Sequence, residues 1–145
     1  MNFRDFLTLA ATLAAGATEA EWRSAVSRAY YAAFHLACDL LRDLGFTVPH
    51  SERAHAYLWL RLSNSGHPDG RNAGLNLRQL RQQRTRADYD PLRTVSATTA
   101  ANDLQTAEEI IRVLDAAAQD PPRTQIMDAM KIYERDVLKD VTWHP

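Results

Sequence analysis

Between Arg23 and Ala37 the chain reads Arg-Ser-Ala-Val-Ser-Arg-Ala-Tyr-Tyr-Ala-Ala-Phe-His-Leu-Ala, and this stretch restricts the fold more than any other. Ala25, Ala29, Ala32, Ala33 and Ala37 recur at helical intervals, so a second helix can approach them closely. Tyr30, Tyr31 and Phe34 stand beside them as flank fillers. On a strand the same residues would scatter over both faces. The stretch predicts a long helix that acts as the spine of a helical bundle.

Punctuation on either side sets the length of that helix. Thr18-Glu19-Ala20-Glu21 is a capping box, in which a hydroxyl and a carboxylate satisfy free amides at a helix start, and Gly45 is a natural stop. The spine is therefore expected from Glu19 to Leu44. Before it, a first helix is expected over Phe3–Ala15 with Asn2 as its N-cap, ended by Gly16. After Pro49, Ser51 caps a third helix running to Ser63. Asn64 to Gly74 holds three Gly, one Pro and two Asn and reads as a loop. A fourth helix covers Asn76–Tyr89 and ends before Asp90-Pro91, because proline disfavours helical geometry in the residue before it. Ser96 or Thr98 opens a fifth, which stops at Asp120-Pro121-Pro122. The last, Arg123–Val141, places Ile126, Met130, Tyr133 and Val137 on one stripe with charges opposite. No segment alternates like a strand. The expected fold is all-α, an antiparallel bundle of five to six helices in all, with the bundle proper over residues 1–120 and residues 121–145 as a C-terminal helical extension packed on or next to it.

The chain has 145 residues and a net charge of −1, so no overall field draws it toward nucleic acid. Affinity for phosphate would have to be local. Fifteen of its seventeen basic residues are Arg, the side chain suited to bidentate phosphate contacts. A single cysteine, Cys38, excludes an internal disulfide and reads as an inert core thiol. No apolar run is long enough to span a bilayer and the N-terminus lacks a signal-peptide pattern, so a cytoplasmic location is expected. His50 and His55 lie five apart, which does not align two metal ligands on a helix, and no metal site or cofactor is expected. Trp22 and Trp59 fall in amphipathic patterns that favour core packing over base stacking.

Two segments carry candidate chemistry. Arg28 and His35 are seven apart, which on a helix returns to nearly the same face about 10 Å along the axis. A guanidinium and an imidazole so placed could line one groove and act on a phosphodiester. Chance alone supplies about 1.5 Arg-to-His spacings of this kind in such a chain, so the pair is a candidate and no more. The second segment, Arg81-Gln82-Gln83-Arg84-Thr85-Arg86-Ala87-Asp88-Tyr89, presents a broad basic surface, in which Arg84 and Asp88 also have ion-pair spacing.

Ser27-Arg28-Ala29-Tyr30-Tyr31-Ala32-Ala33-Phe34-His35 and Arg84-Thr85-Arg86-Ala87-Asp88-Tyr89, with Gly45-Phe46-Thr47-Val48-Pro49-His50 between them, resemble the HEPN-domain family over roughly residues 1–118. The resemblance implies a helical bundle that pairs into a symmetric homodimer, with the arginines of the fourth helix at a shared cleft. In catalytic members that cleft cuts RNA without metal, through an Arg and a His with four to six residues between them. Here Ala87 stands at the His position and cannot transfer a proton. Tyr89 matches the tyrosine that some members present to a partner nucleotidyltransferase. The resulting expectation is a nucleotide- or RNA-associated binding module of a toxin–antitoxin or defence-type system, with Arg81, Arg84, Arg86, Asp88, Tyr89 and Tyr31 at the site. Its rivals are a metal-independent ribonuclease using Arg28 and His35, and a non-catalytic dimeric scaffold whose last helix docks a partner.

Overall fold

A computed structural model describes residues 1–145. Its helices are α1 (Arg4–Ala14), α2 (Glu19–Leu44), α3 (Arg53–Ser63), α4 (Pro68–Tyr89), α5 (Ala97–Ala117) and α6 (Pro122–Tyr133), the last continuing into a π-helical turn over Glu134–Leu138. The fold is all-α, as the helical spacing predicts. Its only strand-like feature is one bridge between Phe46 and Trp143.

Helix α2 is the spine, contacting α1, α3, α4 and α5. All five of its stripe alanines are buried to 1 % exposure or less, which is what lets the neighbouring helices pack so near. Both of its ends form as expected. The Thr18 hydroxyl accepts from the Glu21 amide at 3.2 Å, and the Glu21 carboxylate accepts from the Thr18 hydroxyl at 2.8 Å. At the other end Gly45 takes φ 109, a left-handed conformation that suits glycine. Asn2, expected as the N-cap of α1, lies one residue before the cap position, which is Phe3, although Asn2 Oδ1 still accepts from the Arg4 amide at 3.0 Å. Ser96 caps α5 by accepting from the Thr99 amide at 3.1 Å.

Two further expectations fail. The loop expected over Asn64–Gly74 is largely helix, because α4 starts at Pro68 with His67 as N-cap. Its Nδ1 accepts from the Gly70 amide at 3.3 Å, and proline is favoured at the first helical position. Gly74 marks a close crossing here and does not break the helix. A Cβ there would lie 2.6 Å from the Ser63 backbone nitrogen, so its absence lets α4 press onto the end of α3.

The last helix, expected to reach Val141, ends eight residues earlier at Tyr133 and is followed by the π-turn, while the buried face of the helix runs through Ile126, Met130 and Glu134 at four-residue steps. Ile126 and Met130 join the main core, but Val137 is left exposed and Glu134 is turned fully inward. There Glu134 accepts from Arg61 Nε at 2.8 Å, the Thr142 amide at 2.9 Å and the Trp143 amide at 3.1 Å. Burial alone would raise its pKa; the Thr142 and Arg61 contacts reverse this and hold the carboxyl below the usual range. Residues 139–145 are thereby folded back beside Gly45, where Trp143 Nε1 donates to the Leu44 carbonyl at 2.8 Å.

Candidate functional site

The α2 and α4 helices lie side by side, and their polar stripes meet at Ser27–Asp88 and at Tyr31–Arg84. On α2 the stripe is Ser27, Tyr31 and His35, at i, i+4 and i+8; on α4 it is Arg81, Arg84 and Asp88, at i, i+3 and i+7. Tyr31 is the meeting point. The Arg84 guanidinium carbon lies 5.0 Å from its ring centroid, that of Arg28 lies 5.6 Å away, and the His35 ring stacks beside it at 5.9 Å. Cations over an aromatic face are held by the ring quadrupole, so one tyrosine organises two arginines drawn from different helices.

Arg84 is fixed further by its partners. Its Nε lies 3.0 Å from Asp88, one turn along the helix, and Asp88 in turn accepts from the Ser27 hydroxyl at 3.2 Å. Tyr89, 70 % exposed, lies with its ring 5.5 Å from the Arg84 guanidinium carbon. Arg28 also sits 5.2 Å from the Phe6 ring, and His35 stacks on Phe3 at 3.9 Å. The N-terminal helix thus closes one side of the site. Burial, helped by Arg42 and opposed by Asp39, lowers the His35 pKa, so the ring is neutral near pH 7.

Arg28, His35, Tyr31, Arg84, Asp88 and Tyr89 are therefore one connected group. Arg81 adjoins it from the α3 side, 3.3 Å from Glu52. Arg86 does not belong to it. It points to the opposite flank of α4, where it donates to Gln83 at 3.2 Å and lines a separate groove with Arg93 and Asp103. Helical phase explains the split, since positions 81 and 86 are about 140° apart around the axis.

The residues missed from the sequence are His55, Glu52 and Arg23. His55 is 5 % exposed on α3, and its Nδ1 is hydrogen-bonded to the hydroxyl of Tyr30, itself buried on α2. Its Nε2 lies 3.6 Å from Glu52. A proton on Nε2 suits that facing carboxylate, leaving Nδ1 to accept from the phenol. Burial first, and Arg81 second, lower the His55 pKa, and burial raises that of Tyr30. His55 and His35 line one cleft of about 320 Å³ with Tyr31, Phe34, Arg42 and Glu52. The spacing of His50 and His55 carries no sign of this, because the partner of His55 is a tyrosine on another helix. Arg23 donates to the Ala87 and Asp90 carbonyls at 2.9 and 3.0 Å and so ties the end of α4 to α2. No group of three or more His, Cys, Asp or Glu is arranged to hold a metal ion.

The family model for the HEPN domain matches residues 8–117, a span that runs from within α1 to the end of α5 and contains both polar stripes. The chain belongs to the HEPN family. No curated protein and no solved structure matches it significantly. Within the HEPN bundle, Ala87 is 4 % exposed and packs with Ala25, Val26, Val95 and Ala100. Ala87 is thus a packing residue between α2, α4 and α5. The HEPN match stops before α6, and no helix of the chain is long and apolar enough to cross a membrane.

Proposed function

We propose that this HEPN protein is a nucleotide- or RNA-associated binding module of a toxin–antitoxin or defence-type system, in which Arg81 and Arg84 meet phosphates beside Tyr31, where α2 and α4 pack together. The observation that carries the reading is the Tyr31 hub, where Arg28 and Arg84 converge on one aromatic ring beside a neutral histidine. Guanidinium groups held by aromatic and carboxylate partners are oriented before a ligand arrives, which lowers the ordering cost of phosphate binding. Arg86, on the other flank, extends the basic surface without sharing that site. A second copy of the chain would double the arginines, and the exposed Tyr89 is the candidate for modification by a partner nucleotidyltransferase. The test is binding of a labelled single-stranded RNA over a salt series. Arg81→Ala with Arg84→Ala weakens binding and flattens the dependence of log K on log salt by about one unit per lost phosphate contact. Unchanged affinity and slope refute the phosphate role.

A metal-independent ribonuclease is the second reading, favoured by His35 and His55 facing one cleft with lowered pKa values. The neutral His35 imidazole can take the 2′-hydroxyl proton as that oxygen bonds to phosphorus and the bond to the 5′-oxygen breaks, the departing oxygen taking a proton from water or from the imidazolium so formed, while an arginine holds the phosphate. RNA cleavage in EDTA that His35→Ala abolishes, with the bundle still folded, decides for it. The non-catalytic scaffold reading survives only if neither binding nor cleavage is found.

A further inference from the structure

The position of Glu52 is unusual for so free a side chain. It lies at the start of α3, is 83 % exposed, and makes no capping hydrogen bond to that helix. Yet one of its oxygens, Oε2, is 3.3 Å from Arg81 and 3.6 Å from His55 Nε2. Those two donors come from α4 and α3 and converge on one point. His55 is locked there by Tyr30 and by stacking on Phe34 at 4.5 Å. An anion position therefore exists between a half-exposed arginine and a buried, oriented N–H, and the chain's own carboxylate stands in it.

We infer that Glu52 occupies the place of a ligand phosphate, and that a nucleotide or RNA phosphate reaches Arg81 and His55 only by displacing it. A phosphate oxygen offers the same acceptor chemistry as the carboxylate, with more charge. Glu52 can leave at little cost because its side chain is solvated and attached only through these two contacts. The residue then acts as a built-in competitor that weakens binding of poorly charged ligands and excludes stray carboxylates. This deepens the phosphate-binding reading of Arg81 and Arg84 and rests on it.

The experiment measures affinity for inorganic pyrophosphate and for a labelled single-stranded RNA, using Glu52→Gln and Glu52→Ala. Removing an exposed ion pair that competes for Arg81 tightens both ligands about two- to fivefold. Glu109→Gln, the same change in net charge at an exposed site on α5, leaves affinity within error. In an Arg81→Ala background the Glu52 substitutions have no effect. Equal tightening by Glu109→Gln, or tightening that persists without Arg81, overturns the displacement role, as does no tightening at all. If Arg81→Ala and Arg84→Ala fail to weaken the parent protein, the phosphate-binding reading itself has failed. If they weaken it and the Glu52 variants match the parent, only the competitor role is lost.

Discussion

Replacing Glu134 is the most demanding test of the packing described here. The side chain is fully buried and accepts from Arg61, from both the amide and hydroxyl of Thr142, and from the Trp143 amide. Arg61 is only 4 % exposed, and besides Glu134 it has the Tyr57 carbonyl at 3.3 Å and the Tyr57 ring. Glu134→Ala therefore strands a buried guanidinium, a loss of about 3–5 kcal/mol. For a chain of this size that is a fall in melting temperature of roughly 12–20 °C. Urea and thermal unfolding followed by circular dichroism measure it, and trypsin should cut rapidly after Lys139 once residues 139–145 are released. Adding Arg61→Met returns about 2 kcal/mol or more, because the unpaired charge is gone although the tail amides are not repaired. A single variant within about 1 kcal/mol of the parent, or a double variant as poor as the sum of the singles, refutes the account of this latch.

Other outcomes follow from single contacts. Gly74→Ala puts a methyl 2.6 Å from the Ser63 nitrogen, so α3 and α4 must part and stability falls by about 1–3 kcal/mol in urea melts. Burial pushes the Asp103 carboxyl up to about 6, and one of its oxygens has no partner. The raised value means the native state binds more protons between about pH 4 and 6, and stability declines as pH rises through that window. Asp103→Asn should therefore be about 2–3 kcal/mol more stable at pH 8 and lose that slope; an unchanged pH profile contradicts it. Burial also raises Cys38 to about 11, so its thiol should stay unreactive toward a thiol reagent at pH 8 until the protein is unfolded.

Local chemistry in the sequence reaches a long way into this fold. The Thr18–Glu21 box, Gly45 and Ser96 mark helix ends that depend on neighbouring residues alone, and they form where that chemistry puts them. The alanine stripe of α2 identifies the spine because its spacing reports one buried face. What escapes is chemistry that depends on a distant partner. Gly70 and Gly74 read as loop residues until Ser65 and Ser63 are found pressed against them. Glu134 reads as a surface charge until Arg61, seventy-three residues earlier on α3, is found facing it. His55 lacks a partner in sequence because Tyr30, twenty-five residues earlier, supplies it in space. Helical phase was available for Arg86, and it already separates that residue from Arg81 and Arg84; the basic segment has two faces, not one surface.

The central claim is that phosphates bind at Arg81 and Arg84 beside Tyr31, where α2 and α4 pack together. A crystal structure with a bound short single-stranded RNA or nucleoside diphosphate tests it most directly. The expected result is a phosphate within hydrogen-bond distance of Arg81, Glu52 swung away, and the ligand lying against the Tyr31 and His35 rings. A ligand held in the Arg86–Asp103 groove, or on any surface away from Tyr31, contradicts it.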